Sequence, residues 1–178
     1  PAKPGATPLL WDDAAVRVTR ARDADMFAFS KGTFRDFPDW YLAGPTFVAP
    51  KRVTDLNPQQ KEYAWSAGSR LVDYVSDHGV KLQAALFLPA GYEPGKKYPT
   101  LVYIYEKLSD GVHRFVNPAP GGSINPTFYA SNGYLVFQPA EEGGGGAREM
   151  IRDGLFDKFP MEAIFGAHNW PGMAVGQF

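Results

Sequence analysis

Phe137-Gln138-Pro139-Ala140-Glu141-Glu142-Gly143-Gly144-Gly145-Gly146-Ala147 is the stretch on which the reading of this chain turns. The apolar run Tyr134-Leu135-Val136-Phe137 leads into it. Two adjacent carboxylates and four glycines follow, and then a segment with helical spacing. Paired acids where a sheet edge opens to solvent make a chemical site. Adjacent residues at a strand end point in different directions, so two neighbouring acids can take different roles. The glycines let the backbone turn closely into a helix. In that helix Ala147, Met150, Ile151 and Leu155 fall on one face, with Arg148, Glu149, Arg152 and Asp153 on the other. A phosphate cradle is excluded, because Ala147-Arg148-Glu149 stands where Gly-Lys-Ser/Thr is needed and the acid pair repels phosphate.

Composition bounds the rest. The chain has 178 residues, 44% hydrophobic and 15% aromatic, enough for the core of one ordinary domain. Its 18 basic and 19 acidic residues are interspersed, which argues against a nucleic-acid footprint. With no cysteine there is neither a disulfide framework nor a thiolate metal ligand. No apolar run approaches the roughly 18–20 residues of a membrane helix. Pro1-Ala2-Lys3-Pro4-Gly5 has no initiator Met and no apolar signal core, so the expectation is a soluble piece of something longer, its compartment unassigned.

In chain order, Val16 and Val18, then Met26, Phe27 and Phe29, alternate with charged residues and predict two strands joined near Asp23-Ala24-Asp25. Asp39-Trp40-Tyr41-Leu42 predicts a third, ended by Gly44-Pro45. Short aromatic strands punctuated in this way suggest part of an antiparallel sheet such as a propeller blade. Lys51 to Trp65 reads as a linker. Arg70–Val75 and Lys81–Pro89 form a predicted hairpin around Ser76-Asp77-His78-Gly79. Thr100–Tyr105 is a continuous apolar run expected to be buried on both faces. A short helix over Thr127–Asn132 ends at Gly133, and Tyr134–Phe137 is the next strand.

Asn57-Pro58-Gln59-Gln60-Lys61-Glu62-Tyr63, the hairpin, Lys97-Tyr98-Pro99, Tyr103-Ile104-Tyr105-Glu106-Lys107-Leu108-Ser109-Asp110 and Ser131–Phe137 fall in one order. Together they resemble the prolyl oligopeptidase family of serine peptidases over about residues 16–137, from the end of the propeller into the first strands of the α/β-hydrolase domain. The resemblance implies that Tyr105 is an oxyanion donor, its phenol hydrogen-bonding the charge that develops on a carbonyl oxygen. On residues alone, Tyr105 reads as an aromatic at a strand end, half buried with its hydroxyl in water. The Gly-x-Ser-x-Gly elbow that should follow is missing. Gly121-Gly122-Ser123-Ile124-Asn125 lacks the second glycine and precedes a strand, and no triad Asp or His has a candidate position. This part of the chain calls for no cofactor.

From Gln138 onward the sequence resembles another family, the two-metal amidohydrolases and carboxypeptidases similar to hippurate hydrolase. Phe137–Ala147, Met150-Ile151, Asp153-Gly154-Leu155-Phe156 and Phe165-Gly166-Ala167-His168-Asn169-Trp170-Pro171-Gly172 carry it. The resemblance implies that Glu141 is the general base and that Glu142 and His168 are ligands to a divalent zinc, manganese or cobalt ion. A strand over Ala163–Ala167 would return His168 to the edge where the acids lie. The family's upstream ligand segment and its distant C-terminal histidine have no counterpart, since His78 and His113 lie in the other resemblance. Read without the resemblance, Glu141-Glu142 is also a solvated acidic loop, and His168 a turn histidine near Trp170.

The expected fold class is therefore α/β. Residues 1–50 read as propeller strands, 51–69 as a linker, 70–137 as the start of an α/β-hydrolase-like domain, and 138–178 as a fragment of an amidohydrolase catalytic domain. The two parts meet within Val136-Phe137-Gln138-Pro139, as in a fusion at a short shared stretch. The expected function is a peptide-bond hydrolase fragment that is inactive alone. The alternatives are a metal-dependent hydrolase of N-acyl amino acids and a non-catalytic binding module. The substrate class is a peptide or an N-acyl amino acid, no nucleic acid or membrane is a partner, and unpaired sheet edges favour self-association.

Overall fold

A computed structural model of the chain describes residues 5, 7–75, 78–104, 109–119, 124–139, 151–152, 154 and 157. The architecture is mixed α/β, with two four-stranded sheets and a short helix near the end of the described region. Neither sheet closes into a barrel or propeller among these residues.

The first sheet is an antiparallel meander of β1 (Ala15–Arg20), β2 (Phe27–Gly32), β3 (Asp39–Ala43) and β4 (Lys51–Arg52). The period-two pattern sets its register, with Val18 opposite Phe29 and Phe29 opposite Tyr41. On that face the Phe29 and Tyr41 rings stack at 5.2 Å, and Phe47, from the loop after β3, covers Phe27 and Phe29.

Asp39 ties the end of this sheet together. Its buried carboxylate accepts from both Nε and a terminal nitrogen of Arg52, from the Thr54 hydroxyl at 2.7 Å and from the Leu56 N–H at 2.9 Å. Burial raises the pKa of this carboxyl. The Leu56 N–H, the Thr54 hydroxyl and the Arg52 guanidinium together outweigh burial and hold it below its ordinary value.

The second sheet has the order β5-β6-β8-β7, built from β5 (Ser66–Val75), β6 (Lys81–Ala90), β7 (Thr100–Val102) and β8 (Leu135–Pro139). The hairpin β5–β6 is antiparallel and starts four residues before the sequence pattern places it, because Ser66 pairs with Ala90 beyond the alternating stretch. Residues 51–69, expected as a linker, carry β4, a 3₁₀ turn over Pro58–Glu62 and the start of β5. β7 differs from expectation. It spans only Thr100–Val102, pairs with β8 alone among the described residues, and is half-exposed. An edge strand of three residues cannot bury both faces, whatever its composition.

Between β7 and β8 the chain crosses over through α1 (Pro126–Ser131) and returns parallel to β7. Asn125 caps the helix by accepting from the Phe128 N–H at 2.9 Å, and Pro126 sits in the first turn, where its missing N–H costs nothing. Gly133, at φ 90°, ends it. The Gly133 N–H bonds to the Ala130 carbonyl and the Tyr134 N–H to that of Tyr129, the paired bonds of a Schellman cap.

One core joins the two sheets. Phe34, Ala85, Phe87, Val112, Ala130 and Val136 form it, with Leu101 and Tyr129 packed against it. Phe34 comes from the turn between β2 and β3 of the first sheet, yet its ring lies 4.6 Å from that of Phe87 on β6. The Thr33 hydroxyl shapes this turn by accepting from the Arg35 and Asp36 N–H groups and donating to the Asp36 carboxylate. Gly32 is required beside it, because a Cβ there would meet Pro38 at 2.9 Å.

Two outcomes are expected. Phe34→Ala, at a site only 1% exposed, lowers the unfolding free energy measured in urea by about 3–5 kcal/mol. The Asp39 contribution is complete above its unfolded pKa near 3.8 and is lost as pH falls through the lower folded value. Asp39→Asn is accordingly less stable than the parent at neutral pH, and thermal melts of the two converge as the pH drops below about 4.

Candidate functional site

The carboxyl ends of β7 and β8 lie side by side. Val102 is opposite Phe137, and the Tyr103 N–H donates to the Phe137 carbonyl at 2.9 Å. In open α/β sheets this is where ligands are held, outside the carboxyl ends of parallel strands. Gln138, 6% exposed, closes β8 at this end.

Next to it, between the two sheets, lies an open crevice of about 1280 Å³. Trp40 and Arg17 line it from the first sheet, Phe87 and Gln138 from the second, and His113, Arg114 and Phe115 from the segment before α1. Aromatic contacts hold these walls together. Phe37 meets Phe115 edge-on at 5.0 Å, and Trp65 stacks on Phe115 at 5.7 Å. Ser69 fixes the segment below by donating to the Val112 carbonyl at 2.6 Å. His113 faces the Asp13 carboxylate at 3.9 Å.

All four site residues named from the sequence, Tyr105, Glu141, Glu142 and His168, lie outside the described residues, as do the strand expected over Ala163–Ala167 and most of the helix after the glycines. What is described is the ground just upstream of two of those positions: Ile104 comes before Tyr105 and Pro139 precedes Ala140-Glu141-Glu142. Among the described residues no group of three or more His, Cys, Asp or Glu could hold a metal ion. No helix among them is long and apolar enough to cross a membrane.

The crevice residues Arg17, Trp40, Arg114 and Phe115 were not singled out by sequence reasoning. They come from β1, β3 and the segment before α1; strand register aligns Arg17 with Trp40, and packing between the sheets brings Arg114 and Phe115 opposite them. One signal was available, the mixed basic and aromatic run Val112-His113-Arg114-Phe115 in a loop.

Residues 127–178 match the Peptidase family M20/M25/M40. The chain is also 65% identical over 37 residues to hippurate hydrolase of Campylobacter jejuni, a stretch covering 21% of this chain and 10% of that enzyme. It is 60% identical over 48 residues to an uncharacterized hydrolase of Staphylococcus aureus, covering 25% of this chain and 12% of the other. The chain thus spans about a tenth of the length of the curated relatives it matches.

Similar solved structures include dipeptidyl peptidase 4 of Porphyromonas gingivalis, with TM-score 0.48 and 14% identity over 75% of this chain and 19% of that one. Acylaminoacyl peptidase of Pyrococcus horikoshii has TM-score 0.41 and 18% identity over 65% of this chain and 17% of that one. Over residues 127–178 the chain resembles the M20 peptidases. The M20 match begins at Thr127, upstream of the meeting point read from the sequence, so 127–137 belongs to both resemblances.

Proposed function

We propose that residues 1–178 carry parts of two amide-hydrolase catalytic domains and do not turn over substrate by themselves. What supports this reading most is the parallel pair β7–β8, which ends side by side just before the chain reaches Tyr105 and Glu141-Glu142. In this proposal 1–50 is a remnant of propeller strands, 51–69 links it to an α/β-hydrolase-like start over 70–137, and 138–178 is an amidohydrolase fragment. The substrate class is a peptide or an N-acyl amino acid. Tyr105 supplies a hydrogen bond to a carbonyl oxygen, but no serine on a strand–helix elbow is present to attack the carbon.

A second reading, metal-dependent hydrolysis with Glu141 as base and Glu142 and His168 as ligands, is favoured by the family match over 127–178. A bound zinc, manganese or cobalt ion would supply Lewis acidity there. Two protein ligands fall short of the three plus water usual in a catalytic zinc site. A third reading, a non-catalytic assembly module, rests on β1, β5 and β7, each of which has an unpaired edge among the described residues.

A fluorophosphonate probe is expected to leave the chain unlabelled. With zinc, manganese or cobalt added, N-acyl amino acids and short peptides are expected to survive. Labelling at one serine overturns the first part of the proposal. Chelator-sensitive hydrolysis abolished by Glu141→Gln establishes the metal-dependent reading in its place.

A further inference from the structure

The inter-sheet crevice is lined by residues to which neither hydrolase resemblance assigns a role. Across the first sheet Arg17 lies opposite Ser30, and Ser30 opposite Trp40, and all three line the crevice. They form one row on one face, with a small serine between a guanidinium and an indole. Strands two apart lie roughly 10 Å from each other, so Arg17 and Trp40 bracket a flat floor of about that width. The Trp40 side is open, since the residue is 42% exposed. From the facing wall Arg114 and Phe115 repeat the pairing of a cation with an aromatic ring.

Charge points to the occupant. Among the described residues neither Arg17 nor Arg114 has a carboxylate partner. Among the described residues the crevice lining has these two guanidinium groups against the carboxylate of Asp110. His113 also lines the crevice, with Asp13 beside it. Guanidinium groups without a carboxylate partner beside the open Trp40 ring suit a ligand with a planar apolar ring at one end and an anion at the other.

We propose that this crevice binds an aromatic monocarboxylate, its ring against Trp40 and its carboxylate paired with Arg17 and Arg114. The proposal needs no scissile bond and stands or falls apart from the hydrolase reading. Calorimetric titration of the full chain with 2-naphthylacetate and with the neutral 2-naphthylacetamide tests it. The acid is expected to bind at least about tenfold more tightly than the amide, an advantage that shrinks as salt is raised. Arg17→Gln together with Arg114→Gln, both exposed positions, is expected to bring the acid down to the amide's affinity without changing the circular dichroism spectrum. Trp40→Ala is expected to weaken acid and amide alike. Equal affinity for acid and amide, an acid preference that survives the double substitution, or no saturable binding by the folded chain overturns the proposal.

Discussion

The contact between Phe34 and Phe87 carries the connection between the two halves of the described chain. Phe34 belongs by sequence to the first sheet and by burial to the core of the second. Everything between the sheets follows from it. The Thr33 turn and the approach of Gly32 to Pro38 exist to aim that ring, and the segment carrying Val112 packs on the same cluster. A four-stranded meander alone has little to bury on its second face. Lending one phenylalanine to its neighbour commits it to a position and leaves the crevice beside the contact, with Trp40 on one side and Phe115 on the other.

The elements most legible in the sequence are those whose pattern is local. β1, β2 and β3 follow from alternation, and α1 is marked at both ends by Asn125-Pro126 and Gly133. Less legible is anything set by neighbours. Thr100–Tyr105 looks like a central strand because its residues are apolar. Its place at the edge of the order β5-β6-β8-β7 is decided by the crossover, which puts β8 rather than β7 against β6. The crevice is the extreme case, since Arg17 and Trp40 are 23 positions apart and become neighbours only through two successive antiparallel registers. Composition gives no hint of such a row.

Buried polar groups show where the second sheet is anchored. Ser66 starts β5 by accepting from the Gly68 N–H, donating to the Leu88 carbonyl and giving its own N–H to Ser131 at the end of α1. The helix is thereby tied to the strand farthest from β7, across the whole sheet. The hydroxyl of Thr127, on the same helix and wholly buried, has no partner among the described residues. A buried hydroxyl without a partner costs about 1–3 kcal/mol. That cost falls in the helix that opens the M20 match.

The M20 match opens inside one helix–strand unit. This unit is a capped helix, a glycine stop and an apolar strand, Leu135–Pro139, laid parallel to a neighbour. Nothing in it is chemistry. Each feature solves a backbone problem common to α/β sheets: ending a helix, reversing direction, and placing a strand's carboxyl end at the sheet edge. The helix of this unit is capped at both ends, and its strand finds its backbone partners in β6 and β7. The groups that would distinguish one hydrolase from another come after the strand ends. The pairing of β8 with β6 and β7 is therefore set before Pro139, independently of the groups that follow the strand.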